Sequence, residues 1–181
     1  DEADEVVKEV EDRVRKLVRR LEESAKKSKE LVERILKRVE DSVRRSEELV
    51  ERIKREVERR RDEELKKRVK ELLKKSTEDN DRLRKDVERL LRESNKENRD
   101  LVRDIERELE EIKRTLEDLR RRGKVTEKVE EMLRRVLEEV RRAVRKSSED
   151  NKRSVEEVKR VLEKAEEDNR RVVEEVDREL K

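Results

Sequence analysis

The sequence predicts an all-α fold, an elongated antiparallel three-helix bundle whose helices run straight or nearly untwisted. Three observations carry that prediction. The 181 residues are rich in Glu, Lys, Arg and Leu, with no Pro and one Gly, so strong helix formers dominate and the main breaker is absent. Apolar residues recur at helical spacing in three long stretches. The pattern also repeats every eighteen residues: Ser28-Lys-Glu-Leu-Val-Glu-Arg-Ile35 returns as Ser46-Glu-Glu-Leu-Val-Glu-Arg-Ile53. Eighteen residues at about 3.6 per turn make five whole turns, so both copies occupy one face of a straight helix.

Helix 1 is expected over about 2–59. Asp1, Glu2, Asp4 and Glu5 stand where the positive end of the helix dipole favours acids. Its apolar residues, from Val6, Val10, Val14 and Leu17 through Ile35 and Val39 to Ile53 and Val57, fall within one arc of roughly 140°. After Val57 the next positions on that arc are residues 60 and 61, and both are Arg. When apolar residues resume at Leu65 the stripe has turned by roughly a third of a rotation, so a tight turn is placed at about 60–62. Asp62 serves as N-cap, with Glu63 and Glu64 in the first turn that follows.

Helix 2 is expected over about 63–121. Leu65, Leu83, Leu101 and Leu119 step along it by eighteen residues each time. Gly123 ends it, at a position where positive φ costs glycine little. Thr126 then caps helix 3, expected over about 127–180, in which Glu149-Asp150-Asn151 recurs as Glu167-Asp168-Asn169. Each helix is a rod of roughly 85 Å, and residues 1–181 read as a single domain. The apolar stripe is wider on helices 1 and 3, where Val7, Ala25 and Val43 and Met132, Ala143 and Val161 flank it.

Composition narrows the function. The chain is 61% charged, and a random chain of that polarity would be disordered; the helical periodicity argues otherwise. Lys+Arg 57 against Asp+Glu 54 gives a net charge of +3, with no basic tract and no aromatic residue to stack on bases, so no nucleic-acid partner is expected. No apolar run approaches membrane-spanning length, and the acidic start is unlike a signal peptide. No membrane association is expected, and the chain should be soluble and cytoplasmic in an expressing host. With neither Cys nor His there is no disulfide framework, no thiolate, and neither the commonest metal ligand nor the commonest general base. The sequence therefore predicts no enzyme, no catalytic, metal-binding or cofactor-binding residue, and no cofactor.

What stands out is a set of polar residues inside the apolar arcs. Fold helix 1 back on helix 2, and residues whose numbers sum to about 122 lie level: Val57 with Leu65 and Ile53 with Val69, but also Ser24 with Asn98, Ser28 with Ser94, Ser42 with Asn80, and Ser46 with Ser76. For helices 2 and 3 the sum is about 248, which sets Asn98 near Asn151, Ser94 near Ser154 and Asn80 near Asn169. Two polar layers result, roughly 27 Å apart by helix rise. One holds Ser42, Ser46, Ser76, Asn80 and Asn169; the other holds Ser24, Ser28, Ser94, Asn98, Ser147, Asn151 and Ser154.

Asn carries donors and an acceptor on one amide and Ser a rotatable hydroxyl, so each layer is expected to be a buried hydrogen-bond network. The blander alternative has these residues at a wetted boundary, most of all the peripheral Ser147 and Ser76. A catalytic role is set aside because no evident base activates any serine. Each unsatisfied buried polar group costs about 1–3 kcal/mol, and the return is register and topology, as a core Asn gives a coiled coil. A slip of one repeat still matches one layer, so the short turns must exclude it. On the surface, Glu30–Arg34 and Glu48–Arg52 have the acid-before-base i,i+4 spacing, and the Glu clusters read as a salt-bridged face rather than a di-metal site.

These features, namely the eighteen-residue period, the Asn/Ser layers, the Glu/Lys/Arg surface and the connection Arg121-Arg122-Gly123-Lys124-Val125-Thr126, resemble computationally designed helical bundles with core hydrogen-bond networks. Natural spectrin-like three-helix repeats are similar in outline, but this chain lacks their aromatic core residues and has longer helices. The resemblance implies a scaffold with no natural substrate, cofactor or compartment. The expected state is a monomer that requires no partner. The alternative is a designed interaction module that accepts a further helix or self-associates as a homo-oligomer or switch.

Overall fold

The computed structural model describes residues 2–181, with side chains from Asp4 onward; Asp1 and the side chain of Glu2, assigned above to the first turn, lie outside the described residues. Three helices follow in order: α1 Glu2–Arg59, α2 Glu63–Arg121 and α3 Glu127–Leu180.

The connections form as local chemistry dictates. The Leu65 amide donates to Asp62 Oδ1 at 2.7 Å, and the Lys66 amide donates to the Asp62 carbonyl at 3.2 Å, so Asp62 caps α2 through side chain and backbone together. At the far end of α2, the Lys124 amide reaches the Leu119 carbonyl at 3.1 Å and the Gly123 amide reaches that of Arg120 at 3.0 Å. These are the paired 6→1 and 5→2 bonds of a Schellman motif. Gly123 has φ of +69°, and a Cβ built there would meet nothing within 4 Å. Glycine is therefore needed for backbone conformation and not for space. Thr126 opens α3, its Oγ1 accepting from the Val129 amide at 3.4 Å and its carbonyl from the Glu130 amide at 3.0 Å.

By spatial contact the chain divides into two compact units, each drawing on all three helices: residues 1–29 with 93–153, and residues 30–92 with 154–181. In the first unit Leu17, Ile105, Ile112, Leu133 and Val140 lie at the centre of a core, each at most 1% exposed. In the second unit the apolar residues form two clusters. One gathers Ile53, Val57, Leu65, Val69 and Val176; the other gathers Ile35, Val39, Val87, Leu91 and Val158. Full burial of each such side chain stabilises by roughly 1.5–3 kcal/mol. Within each unit α2 runs antiparallel to α1: as residue numbers rise on α1 they fall on α2 across Arg13–Glu111 and Arg20–Asp104 in the first unit, and Arg38–Asp86 and Ser42–Asn80 in the second. Of the residues flanking the stripes, Ala25 is exposed and Met132 is 40% exposed, because they sit past the edge of the inward arc.

Candidate functional site

In the second unit, Ser42 on α1 and Asn80 on α2 stand level, both half-buried. The Ser42 hydroxyl donates to Asn80 Oδ1 at 2.8 Å, a length typical of a good O–H···O bond. Ser46, Ser76 and Asn169 are also half-buried; among the described residues their side chains bond to no other protein group. Beside Ser76, the Thr77 hydroxyl turns back to the Leu73 carbonyl on its own helix at 3.0 Å.

In the first unit the outcome differs. Asn98 is 8% exposed, the one buried polar side chain among the described residues. No buried side-chain nitrogen or oxygen there lacks a partner, and the Asn98 side chain bonds to no protein group, so its amide keeps contact with solvent. Asn151 Nδ2 instead donates to Asn95 Oδ1 at 2.9 Å. The sequence places Asn151 beside Asn98; Asn95, absent from the predicted layer, lies three residues earlier on α2 and is rotated about 60° toward α3. The sum rule for α2 and α3 is satisfied nearly as well by Asn95 as by Asn98, and that was the available signal. Ser24, Ser28, Ser94 and Ser147 are half-buried without side-chain hydrogen bonds, and Ser154, also half-buried, belongs to the second unit.

One expectation is corrected outright. The sequence predicts buried networks at these twelve polar positions, with a wetted boundary as the alternative for Ser147 and Ser76 above all, whereas the structure buries Asn98 alone and leaves the other eleven half-buried. Three helices enclose a narrow core, and only the innermost line of each stripe escapes water. Positions on the shoulders of the arc stay wet, which lowers the desolvation cost of placing Ser or Asn there.

No protein-family model matches the chain, and no curated protein matches it. A solved structure described as a "Computationally designed three helix bundle" matches with a TM-score of 0.59, covering 99% of this chain and 89% of that one at 15% sequence identity. The fold is a three-helix bundle.

Charged side chains clamp the outside of this bundle along the eighteen-residue period. Arg20–Asp104 in the first unit and Arg38–Asp86 in the second are the same α1–α2 pair one repeat apart, each at 3.4 Å. Between α2 and α3 the pairs Arg120–Glu130 and Arg84–Glu166 lie two repeats apart. The place between them is taken by Val102 and Ser148, which cannot form an ion pair. Glu30–Arg34 and Glu48–Arg52 do not close, in keeping with the small free energy of exposed pairs. Lys54 donates to Glu175 Oε1 at 3.1 Å, and that hydrogen bond together with the carboxylate's charge raises the lysine pKa above its usual value. Among the described residues no three His, Cys, Asp or Glu are grouped to hold a metal ion, and no helix is long and apolar enough to cross a membrane.

Proposed function

We propose that this chain is a designed structural scaffold with no natural biochemical activity, whose Ser and Asn positions specify how its helices pair. The observation that carries the reading is the pair of uncharged side-chain bonds between helices, Ser42 to Asn80 at positions that the repeat sets level and Asn151 to Asn95 beside the other layer. Such bonds select a register more than they add stability, since a hydrogen bond contributes only about 0.5–1.5 kcal/mol net. The composition, the eighteen-residue period and the fold shared with a computationally designed bundle support an artificial origin. The absence of His and Cys supports a chain without catalysis.

Replacement of Asn80, Asn98, Asn151 and Asn169 together by Leu tests the reading. The variant should stay helical and at least as stable by circular dichroism in urea, and should lose specificity by forming mixed oligomers. Complete unfolding, or an unchanged single species, would contradict it. A second reading, an interaction module, draws on the exposed Met132 and the wide stripes of α1 and α3. Light scattering after size exclusion separates the two. A mass of 22.2 kDa supports the self-contained scaffold, and twice that mass supports self-association.

A further inference from the structure

The polar level of the second unit interrupts its core, and a cavity opens there. Its volume is about 290 Å³, and it lies between α1 and α3 where small side chains replace large ones. Ala165, Val43 and Val172 form its apolar wall with Leu83. The apolar clusters of the second unit border it through Leu162 on one side and Val172 on the other. Ser46 and Asn169 also face it, half-buried and without a protein hydrogen bond, while Asn80 has given its Oδ1 to Ser42 and keeps its amide N–H groups free.

We propose that this cavity is a binding site for small neutral aromatic alcohols. The volume suits a single ring, since even a smaller apolar cavity of roughly 150 Å³ can hold benzene. The apolar wall would take the ring, and a hydroxyl would meet the amides of Asn80 and Asn169 and the hydroxyl of Ser46, which offer both donors and acceptors. The uncharged polar groups are amides and hydroxyls; the Arg84 and Arg171 guanidiniums are engaged by Glu166 and Glu167, each at 3.4 Å, and the lining also carries the carboxylates of Glu47 and Asp168. An anionic ligand would find no free cation to offset its desolvation, which favours the neutral alcohol over its anion. The site shares Ser46, Asn80 and Asn169 with the residues proposed to specify helix pairing, and Ala165→Leu alters the cavity without touching any of them.

The test uses the full chain and para-fluorophenol, followed by fluorine NMR. Saturable binding is expected, weaker by about tenfold or more in Ala165→Leu, which fills the cavity with extra methylenes. Ser46→Leu should act alike, and both place a strong helix former in a helix. Ser147→Leu, the position eighteen residues before Ala165 and in the first unit, should leave binding unchanged. Para-fluorotoluene, which lacks the hydroxyl, should bind several-fold more weakly. The proposal is overturned by absence of saturable binding, by binding unaltered in Ala165→Leu and Ser46→Leu, by equal loss in Ser147→Leu, or by equal affinity for para-fluorotoluene.

Discussion

Ser42 and Asn80 close a hydrogen bond at 2.8 Å in the second unit, while Ser24 and Asn98, the same residue types one repeat away in the first unit, do not. The period sets both pairs level, so levelness is not what separates them. Their neighbours are. In the first unit α2 carries Asn95, whose amide pairs with Asn151 on α3; in the second the equivalent place holds Thr77, whose hydroxyl is spent on the Leu73 carbonyl of its own helix. The α3 side differs as well, with Ser147 in the first unit answered by Ala165 in the second. One unit thus links α2 to α3 through amides, and the other links α1 to α2 through a hydroxyl and an amide. A repeat places side chains, but the residues beside them decide which bonds form.

The largest effects should come from the apolar cores on which both levels depend. Ile105 and Val87 are repeat mates, each 0% exposed, one in each unit. Ile105→Ala should cost about 2–5 kcal/mol in urea unfolding, and Val87→Ala less because fewer methylenes are removed. Equal small losses at both would mean that the cores are loosely packed.

Exchange of the distinguishing neighbours should sharpen the contrast at smaller cost. Asn95→Thr removes the partner of Asn151 and should destabilise by about 1 kcal/mol. The reciprocal Thr77→Asn gives Asn169 an amide facing it and should be neutral or slightly stabilising, with a new slowly exchanging side-chain amide signal by NMR. Destabilisation of equal size by both exchanges would show that Asn95 is not special to its unit.

The smallest effect is electrostatic and confined to the second unit. Lys54–Glu175 has no counterpart thirty-six residues earlier in the first unit, where Val18 and Glu139 stand in those places. Because the folded-state pKa of Lys54 is raised, the stability it contributes is fully present below the unfolded value of 10.5 and is lost as pH rises through the folded pKa. The urea midpoint of the parent should fall slightly more steeply with alkaline pH than that of Lys54→Met. Parallel pH profiles would remove this asymmetry between the units.

Much of this was legible in the sequence for physical reasons. Asp62, Gly123 and Thr126 act through bonds to residues within five positions, so their roles follow from local order alone. Leu65, Leu83, Leu101 and Leu119 mark the inward face because a period of eighteen leaves no helical drift. Hydrogen-bond partners were less legible. Asn95 and Asn98 differ by less than one turn in height and about 60° in azimuth, and the choice between them depends on how α3 is seated against α2, a tertiary quantity. The extent of burial is likewise a tertiary quantity, since a stripe's angular width does not say how much of it three helices can cover.

Context, not level, decides which polar pairs interact, and paired double-mutant cycles separate the two. For Ser42→Ala with Asn80→Ala, urea unfolding should give a coupling energy of about 0.5–1.5 kcal/mol. For Ser24→Ala with Asn98→Ala the coupling should be near zero. Equal couplings in the two units would mean instead that the repeat alone determines the bonds.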